Sequence, residues 1–372
     1  MTGFSLKDHL FNAATVKGLA DEISSAHPDF DAKRFQSDAL AGFAERELKA
    51  RIEWLADCLQ AQAPSDFAAM ADWIEAALPP PLDPAKTDDD FGHFIHAPYG
   101  VLIARHGTGH VERALSAIHA VTQRFSMEYA VRFFLTDHAD QTLDHMADWV
   151  RDPNYHVRRL VSEGTRPTLP WAPRIGLDVL RPLPLLDALH ADPTRYVTRS
   201  VCNHLNDVAK VNAKAVYDRL DKWRAEGDQN APELDWMSRH ALRTLIKQGE
   251  PGAMERLGYR PNAEVDVTIE MPDEAIIDDV TEIAITLLAD QKTPVLVDYA
   301  IDFRKADGRQ KSKVFKVKQC VLQPNEPLRL VKRHRFKGDA TTFRLYPGKH
   351  DVHVMVNGVV RASQRFDLLE KA

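Results

Sequence analysis

The spacing of apolar residues changes near residue 262, and this change constrains the fold more than any other feature of the chain. Before it, apolar residues recur with the period of an amphipathic helix, as in the segment AERELKARIEWLADCLQ. One stripe of that segment is formed by Leu48, Ile52, Leu55 and Leu59. After it, seven short segments alternate apolar and polar residues, which predicts β-strands. We therefore predict a mainly α chain with a helical domain at residues 1–260 and an all-β domain at residues 263–372.

The seven alternating segments are separated by short turn sequences, namely ADGR, QPNEP, YPGK and VNG. Near the end of the chain, LYPGKHDVHVMVNG combines a Pro-Gly turn, an alternating strand and an Asn-Gly hairpin turn. Seven strands in about a hundred residues are typical of an immunoglobulin-like β-sandwich. The sequence therefore predicts a sandwich of this type after the helical domain.

A repeat of 40 residues runs through the helical part of the sequence. DPNYHVRRLVSEGTR at residues 152–166 aligns with DPTRYVTRSVCNHLND at residues 192–207, and Val157/Val197 and Arg159/Arg199 coincide. A period near 40 residues is typical of HEAT-like helix pairs, which stack into a solenoid. Each Asp-Pro is expected to open a helix, because Asp can cap it and Pro fits its first turn.

The repeat also predicts three stacked polar rows, because positions i, i+4 and i+8 share one face of a helix. The rows are Arg159, Glu163 and Pro167; Arg199, Asn203 and Asp207; and Arg239, Arg243 and Lys247. Polar residues at equivalent positions of a solenoid indicate an exposed surface that can bind a partner. For any single row, a solvated helix face with intrahelical ion pairs is the alternative.

Charge is distributed unevenly, although the net charge of −6 by itself argues weakly against nucleic-acid binding. Residues 304–349 hold 14 Lys and Arg against three acidic residues, whereas residues 263–302 hold 11 acidic residues and the single base Lys292. One face of the β domain could therefore suit a polyanion. A solvated sheet surface with interspersed charges explains the pattern equally well.

Several classes of protein are excluded by what the sequence lacks. Its three cysteines are far apart and form no CxxC pair, which indicates a reducing compartment rather than a disulfide framework. There is no secretory signal and no run of about 18 apolar residues, so we expect a cytoplasmic protein without a membrane span. The 16 histidines form no HExxH and no zinc-like spacing. We therefore expect no structural metal and no cofactor.

The segment ARHGTGH, at residues 104–110, resembles the phosphohistidine loop of histidine phosphatases. That chemistry requires a nucleophilic histidine at the end of a strand, here His106, within an α/β sheet. The segment lies between helical patterns, so this activity is a minor alternative.

Acidic, basic and aromatic residues are concentrated between residues 127 and 171. This run contains Glu128, Arg158, Arg159, Glu163, Arg166 and Trp171. It could form core ion pairs with a packing aromatic ring. The functional alternative is a site for a cation beside an anionic backbone, in which arginines bind phosphates, the tryptophan stacks on a base and a carboxylate faces positive charge.

Four segments resemble the AlkC family of bacterial glycosylases that repair alkylated DNA, which are relatives of AlkD. They are SLKDHLFNAATVKGLADEI, ERELKARI, RLVSEGTRPTLPW and YVTRSVCNHLNDVAK, and the resemblance spans residues 5–258. The β domain is similar to the immunoglobulin-like extension of one branch of that family. The resemblance implies a HEAT-like solenoid that excises cationic alkylated bases, chiefly 3-methyladenine, without flipping the base into a pocket. It also implies that both domains grip and bend double-stranded DNA.

The resemblance also implies which residues form the site. The acidic residues of the family fall on Glu128, in a helix expected for SMEYAVR, and on Glu163. Trp171 and Arg159 would lie beside them, and Asp207 would lie on the next repeat. The cations expected to contact phosphates are Arg159, Arg166, Arg199, Arg239, Arg243 and Lys247.

The chemistry of excision is consistent with this site. Alkylation at N3 leaves adenine positively charged, so the base departs without a proton from the enzyme. The remaining requirements are an anion near C1′, as the sugar gains oxocarbenium character, and a positioned water. Glu128 and Glu163 can supply both, one by stabilising the charge or contacting the cationic base and the other by orienting the water, and either residue can take either role. Carboxylates among arginines are expected to stay ionised at neutral pH. We predict a monomeric glycosylase of base excision repair; a non-catalytic HEAT scaffold that binds DNA or protein is the alternative.

Overall fold

The computed structural model describes residues 5–85, 92–338 and 344–370. The chain forms two compact units, Met1–Ala241 and Leu242–Ala372. The first unit is helical, and the second consists of two short helices followed by β-strands, so the predicted fold class is confirmed. The predicted domain boundary at residues 260–263 marks the change from helix to strand, and it falls within the second compact unit. Among the described residues, no helix combines the length and apolarity needed to cross a bilayer.

The described part of the first unit contains fourteen α-helices and one 3-10 turn. Their bounds are α1 Leu6–Leu10, α2 Ala13–Ala26, α3 Ala32–Ala41, α4 Leu48–Gln60, α5 Phe67–Ala76, the 3-10 turn Phe94–His96, α6 Ala97–His106, α7 Val111–Thr122, α8 Val131–Asp137, α9 Ala139–Trp149, α10 Tyr155–Gly164, α11 Leu183–Leu189, α12 Arg195–Ala209, α13 Ala213–Glu226 and α14 Ala231–Ala241. The apolar stripe predicted on α4 faces the core, since Leu55 and Leu59 are fully buried. Short polar side chains cap several helices; Asn12, for example, accepts hydrogen bonds from the first-turn N–H groups of α2.

The 40-residue repeat corresponds to α10 and α12, which begin at equivalent positions and pack against each other. The prediction that Asp-Pro opens each helix was wrong. The helices begin after the caps Asn154 and Thr194, two residues beyond each Asp. Asp152 Oδ1 accepts from the N–H of Asn154 at 2.7 Å, and Asp192 Oδ1 accepts from the N–H of Thr194 at 2.8 Å. Each aspartate thus closes a turn before the helix.

The first predicted polar row does not form as a helical row, because α10 ends at Gly164, before Pro167. A side chain at Gly164 would place its Cβ 2.6 Å from Val131 Cγ1, so α10 approaches α8 where only glycine fits. The row therefore contains only Arg159 and Glu163 on one helix.

The third predicted row is also broken. Arg239 lies on α14, whereas Arg243 and Lys247 lie on α15 (Arg243–Gln248), which belongs to the second unit. Helix α14 ends at Ala241, so the i, i+4, i+8 relation does not hold. The second row alone lies on a single helix, since α12 carries Arg199, Asn203 and Asp207.

Within residues 242–338 and 344–370, the second unit contains α15, α16 (Pro251–Arg256) and eight strands in two sheets. The strand bounds are β1 Asp266–Glu270, β2 Glu274–Ile276, β3 Val280–Leu288, β4 Thr293–Arg304, β5 Gln310–Leu322, β6 Leu328–Arg335, β7 Gly348–Val356 and β8 Val359–Leu369. The sheets have the orders β1-β3-β6 and β2-β8-β7-β4-β5. All seven predicted strands form, and β2, parallel to β8, is too short to show an alternating pattern.

The Asn-Gly turn between β7 and β8 contacts the segment that contains α15 and α16. These contacts explain why the two helices belong to the same compact unit as the sheets. Asn357 and Gly358 have φ values of 51° and 79°, as expected for the predicted hairpin turn. Asn357 is fully buried and donates to the carbonyl of Arg260 at 2.9 Å. A Cβ at Gly358 would lie 2.6 Å from Gly249 Cα, so the two glycines pack backbone against backbone.

Candidate active site

Glu128 and Glu163 are connected by one arginine inside the helical unit. Arg159 donates from Nη1 to Glu128 Oε2 at 2.6 Å, and its Nη2 lies 3.6 Å from Glu163 Oε2. Ser126 donates from Oγ to Glu128 Oε2 at 2.8 Å. Both carboxylates are buried. The fold therefore brings the two predicted acidic residues and the predicted Arg159 into one cluster.

Glu128 does not lie in the helix predicted for SMEYAVR. It lies in the turn that leads into α8, which begins at Val131. The hydrogen bond from the N–H of Val131 to the carbonyl of Met127 is the first helical one in this segment. The turn places the Glu128 carboxylate beside Ser126 and Arg159.

The cluster continues from Glu163 to α12. Glu163 Oε1 accepts from Arg166 Nη1 at 2.5 Å, and Oε2 accepts from Ser200 Oγ at 2.6 Å. Arg166 donates from Nε and Nη2 to Asp207 Oδ2 at 3.1 and 3.0 Å. Lys210 donates to Asp207 Oδ1 at 2.9 Å. We call Glu128, Arg159, Glu163, Arg166 and Asp207 the carboxylate network.

The charges of the network stabilise one another. Burial alone would raise the pKa of the Glu163 carboxyl, but Arg159 and Arg166 outweigh it and hold that pKa below its usual range. Burial would lower the pKa of Arg159, yet Glu128 and Glu163 raise it above its ordinary value. The pKa of Arg166 is raised in the same way by its two acidic partners. Glu163 and both guanidinium groups are therefore charged at neutral pH.

Arg132 on α8 holds the segment that follows α10, and it was not among the predicted site residues. Its Nη1 donates to the carbonyls of Gly164 and Arg166 at 3.0 and 2.8 Å, and its Nε donates to that of Pro173 at 2.6 Å. Burial lowers the pKa of this guanidinium. An arginine inside the apolar run YAVRFFL was the available signal, because a buried charge needs hydrogen-bond partners.

Trp171 lies in the segment anchored by Arg132 and remains 41% exposed. Its ring stacks on Tyr129 with centroids 6.3 Å apart and planes within 10°. Lys49 donates to the Trp171 carbonyl at 3.0 Å. Both rings line a largely apolar cavity of about 330 Å³, which Ser126 also lines. Ser126 thus contacts both the cavity and Glu128, so the aromatic surface lies next to the carboxylate network.

The predicted phosphate-binding cations fall into separate groups. Arg159 and Arg166 are in the carboxylate network, and Arg199 is half-buried on α12. Arg239 is exposed on α14. The last two, Arg243 and Lys247, are exposed on α15 in the second unit.

The histidine phosphatase alternative lacks its structural setting. The segment ARHGTGH spans the end of α6 and the loop before α7, and the helical unit contains no strand within the part that the structure describes. Arg105 donates to Asp57 and Glu53 at 2.6 Å each, so it is bound to acids of α4. His106 is therefore the last residue of a helix rather than a nucleophile at a strand end.

The basic residues of the β domain are most numerous on the two edge strands β5 and β6. On β6, Arg329 lies 3.1 Å from Glu270 of β1, two strands away, and Arg333 lies 3.7 Å from Glu282 of the adjacent strand β3. On β5, the exposed lysines are Lys311, Lys313, Lys316 and Lys318. The uneven charge of the sequence is thus partly balanced across one sheet, and the basic side chains of β5 form the candidate surface for a polyanion.

Comparisons with known proteins give matches over most of the chain. Residues 265–370 match the model of a family described as the C-terminal Ig-like domain of the uncharacterised protein YhaZ. YhaZ of Bacillus subtilis (strain 168) is 31% identical over 366 residues, covering 96% of this chain and 98% of YhaZ. The alkylpurine DNA glycosylase AlkC of Pseudomonas fluorescens, bound to DNA containing an abasic site analog, is 33% identical with a TM-score of 0.84. That match covers 98% of this chain and all of the AlkC chain.

Proposed function

Since the chain belongs to the AlkC family, in the branch with a C-terminal Ig-like domain, we propose that it is a DNA glycosylase of alkylation repair. AlkC, to which it is similar over almost its whole length, is an alkylpurine DNA glycosylase that has been observed on DNA with an abasic site analog. An abasic site is the product of base excision. The proposed substrates are small cationic alkylated bases in double-stranded DNA, chiefly 3-methyladenine.

The observation that carries the proposal is the pair of carboxylates beside an exposed aromatic ring. Glu163 is held ionised by Arg159 and Arg166, and Glu128 shares Arg159 with it. Trp171, which is partly exposed, lines the same cavity as Ser126, and Ser126 donates a hydrogen bond to Glu128. A cationic base needs these two elements, since an aromatic face attracts it and negative charge stabilises the sugar as the base departs.

The bond broken is the C1′–N9 bond of the alkylated adenine. The base leaves with both electrons of that bond and becomes neutral, while C1′ gains oxocarbenium character. Water then adds to C1′ and loses a proton, which leaves an abasic sugar. No general acid is required for departure, so the protein has to supply negative charge and a positioned water.

The hydrogen bonds of the two glutamates support a different role for each. Both oxygens of Glu163 accept hydrogen bonds, from Arg166 and from Ser200. Glu128 uses Oε2, whereas its Oε1 makes no hydrogen bond to the residues that the structure describes. We therefore assign Glu128 Oε1 to the water or the sugar, and Glu163 to stabilising the positive charge and holding the arginines.

Release of free methylated base from alkylated duplex DNA tests the proposal. The native chain should release 3-methyladenine, and Glu128→Gln and Glu163→Gln should each abolish release while largely preserving DNA binding. Glu112→Gln is the matched control, because Glu112 is an exposed acid that bonds to Gln141 and His145 away from the network. Full activity in Glu163→Gln would defeat the mechanism.

The alternative is a non-catalytic scaffold that binds DNA or protein. Its support is that both glutamates are buried in ion pairs with arginines, as structural carboxylates are. A scaffold of this kind would bind DNA without releasing any base, so the same assay separates the two functions.

A further inference from the structure

We propose that His190, Glu226 and Asp228 bind a divalent transition-metal ion such as Zn²⁺. One ligand atom from each residue lies within 4.8 Å of the others. His190 follows α11, Glu226 is the last residue of α13, and Asp228 follows it closely. None of the three belongs to the carboxylate network, so the inference is independent of the proposed function.

The hydrogen bonding of His190 leaves one ring nitrogen available as a ligand. Nδ1 lies 2.6 Å from the carbonyl oxygen of Asp187, which can only accept, so Nδ1 carries the proton. Nε2 then bears a lone pair, and it is buried without a hydrogen-bond partner among the described residues. The whole residue is only 5% exposed. Metal-binding histidines usually have this arrangement, with the second nitrogen donating to a carbonyl.

The surrounding contacts fix the ring and bring the carboxylates to it. Trp223 stacks on His190 with centroids 4.7 Å apart and planes within 10°. Gly227 ends α13 in the left-handed conformation, with φ of 74°, so the chain turns directly after Glu226. Gln229 donates to the His190 carbonyl at 3.1 Å, which ties the segment after Asp228 to the histidine. The group is therefore organised before any ion arrives.

The electrostatics of the group favour a bound cation. Two carboxylates and an imidazole lone pair all accept, and three acceptors in close proximity repel one another without a positive charge between them. Lys222 offers part of that charge, since its Nζ lies 3.6 Å from Glu226 Oε1. The Lys222 side chain is 54% exposed and can move away. One imidazole and two carboxylates suit Zn²⁺ or Co²⁺, and the exposed carboxylate side leaves room for water ligands.

Isothermal titration of the full-length, chelator-treated chain with ZnCl₂ tests the proposal. The native chain should bind one ion in a saturable manner. His190→Asn, whose amide can still donate to the Asp187 carbonyl, should weaken binding by at least about 100-fold, and so should the double variant Glu226→Gln/Asp228→Asn. Lys222→Ala should bind the ion several-fold more tightly, because a competing cation is removed.

His145→Asn is the matched control, because His145 pairs with Glu112 at the surface and should not affect the titration. The exposed acids can be replaced without disturbing the core, so the double variant remains informative if His190→Asn fails to fold. Absence of saturable Zn²⁺ and Co²⁺ binding by the native chain would overturn the proposal. Unchanged affinity in the double variant would overturn it equally.

Discussion

Arg159 and Glu128 form a buried ion pair in which Nη1 lies 2.6 Å from Oε2, and this pair joins α10 to the turn before α8. The same guanidinium faces Glu163 one helical turn further along α10 and lies 4.6 Å from the centre of the Tyr196 ring. Arg159 is therefore the shared cation of both candidate catalytic carboxylates. Its charge helps to hold the pKa of the buried Glu163 carboxyl below its usual range.

Replacing Arg159 with Gln should lower the free energy of unfolding by about 3 kcal/mol at pH 7, because buried carboxylates lose their compensating charge. The pKa of Glu163 should rise in the variant, so the destabilisation is complete above that pKa and shrinks as the pH falls through it. Urea unfolding at pH 7 and at pH 5 measures both effects. The control Arg105→Gln removes a partly exposed ion pair with Glu53, and it should lower the free energy of unfolding by less than about 1 kcal/mol. A difference between native chain and variant that stays constant with pH would contradict this account.

Replacing Trp171 with Ala should reduce kcat/KM for release of 3-methyladenine by about 10- to 100-fold, the effect of losing one aromatic–base stack. Trp171→Phe should retain most of the activity, because a phenyl ring can still lie on Tyr129. Single-turnover excision assays compare the two. Since Trp171 is partly exposed, the thermal unfolding temperature of both variants should stay close to that of the native chain. Equal activity of Trp171→Ala and native protein would rule out stacking by this residue.

Replacing Lys311 and Lys318 of β5 with Gln should weaken binding to duplex DNA. It should also reduce the slope of log K against log salt concentration by about 2, as expected for the loss of two phosphate contacts. The control replaces Arg329 and Arg333 of β6, whose charges are opposed by acids of the same sheet, and should have a smaller effect. Titrations at several salt concentrations provide the measurement. If the two double variants show the same DNA affinity and the same salt slope, the β5 lysines have no particular role in DNA binding and only protect a sheet edge from self-association.

The buried His204 should make stability depend on pH. It is fully buried and donates from Nδ1 to the Ser162 carbonyl at 3.0 Å, and burial lowers its pKa to about 4. The unfolded chain binds a proton near pH 6.5, so the free energy of unfolding should fall by about 3 kcal/mol as the pH drops from 6.5 to 4.

His204→Asn keeps a donor for the Ser162 carbonyl but does not titrate, so it should remove most of that loss. Urea unfolding across this pH range measures both proteins. An identical decline in the native chain and in His204→Asn would show that other groups dominate.

Local patterns in the sequence were sufficient to predict the fold class. Periodicity, the 40-residue repeat and the turn residues each depend on neighbours along the chain, and the Asn357-Gly358 hairpin formed as expected. Two of the three predicted helical rows did not form, because helix ends depend on packing. Gly164 ends α10 where it approaches α8, and α14 ends before Arg243.

The amino-acid sequence by itself determined the division into helical and β parts, which follows from local spacing. It also gave the candidate acids Glu128 and Glu163, which follow from segments that resemble the AlkC family. Only the tertiary structure decided how those acids are held. It showed that Arg159 joins them, that Arg132 anchors the segment bearing Trp171, and that His190 lies close to the carboxylates of Glu226, at the end of α13, and Asp228, just after it. The physical reason is that ion pairing and ligand geometry depend on distances between residues far apart in the chain, and hydrophobic periodicity carries no information about those distances.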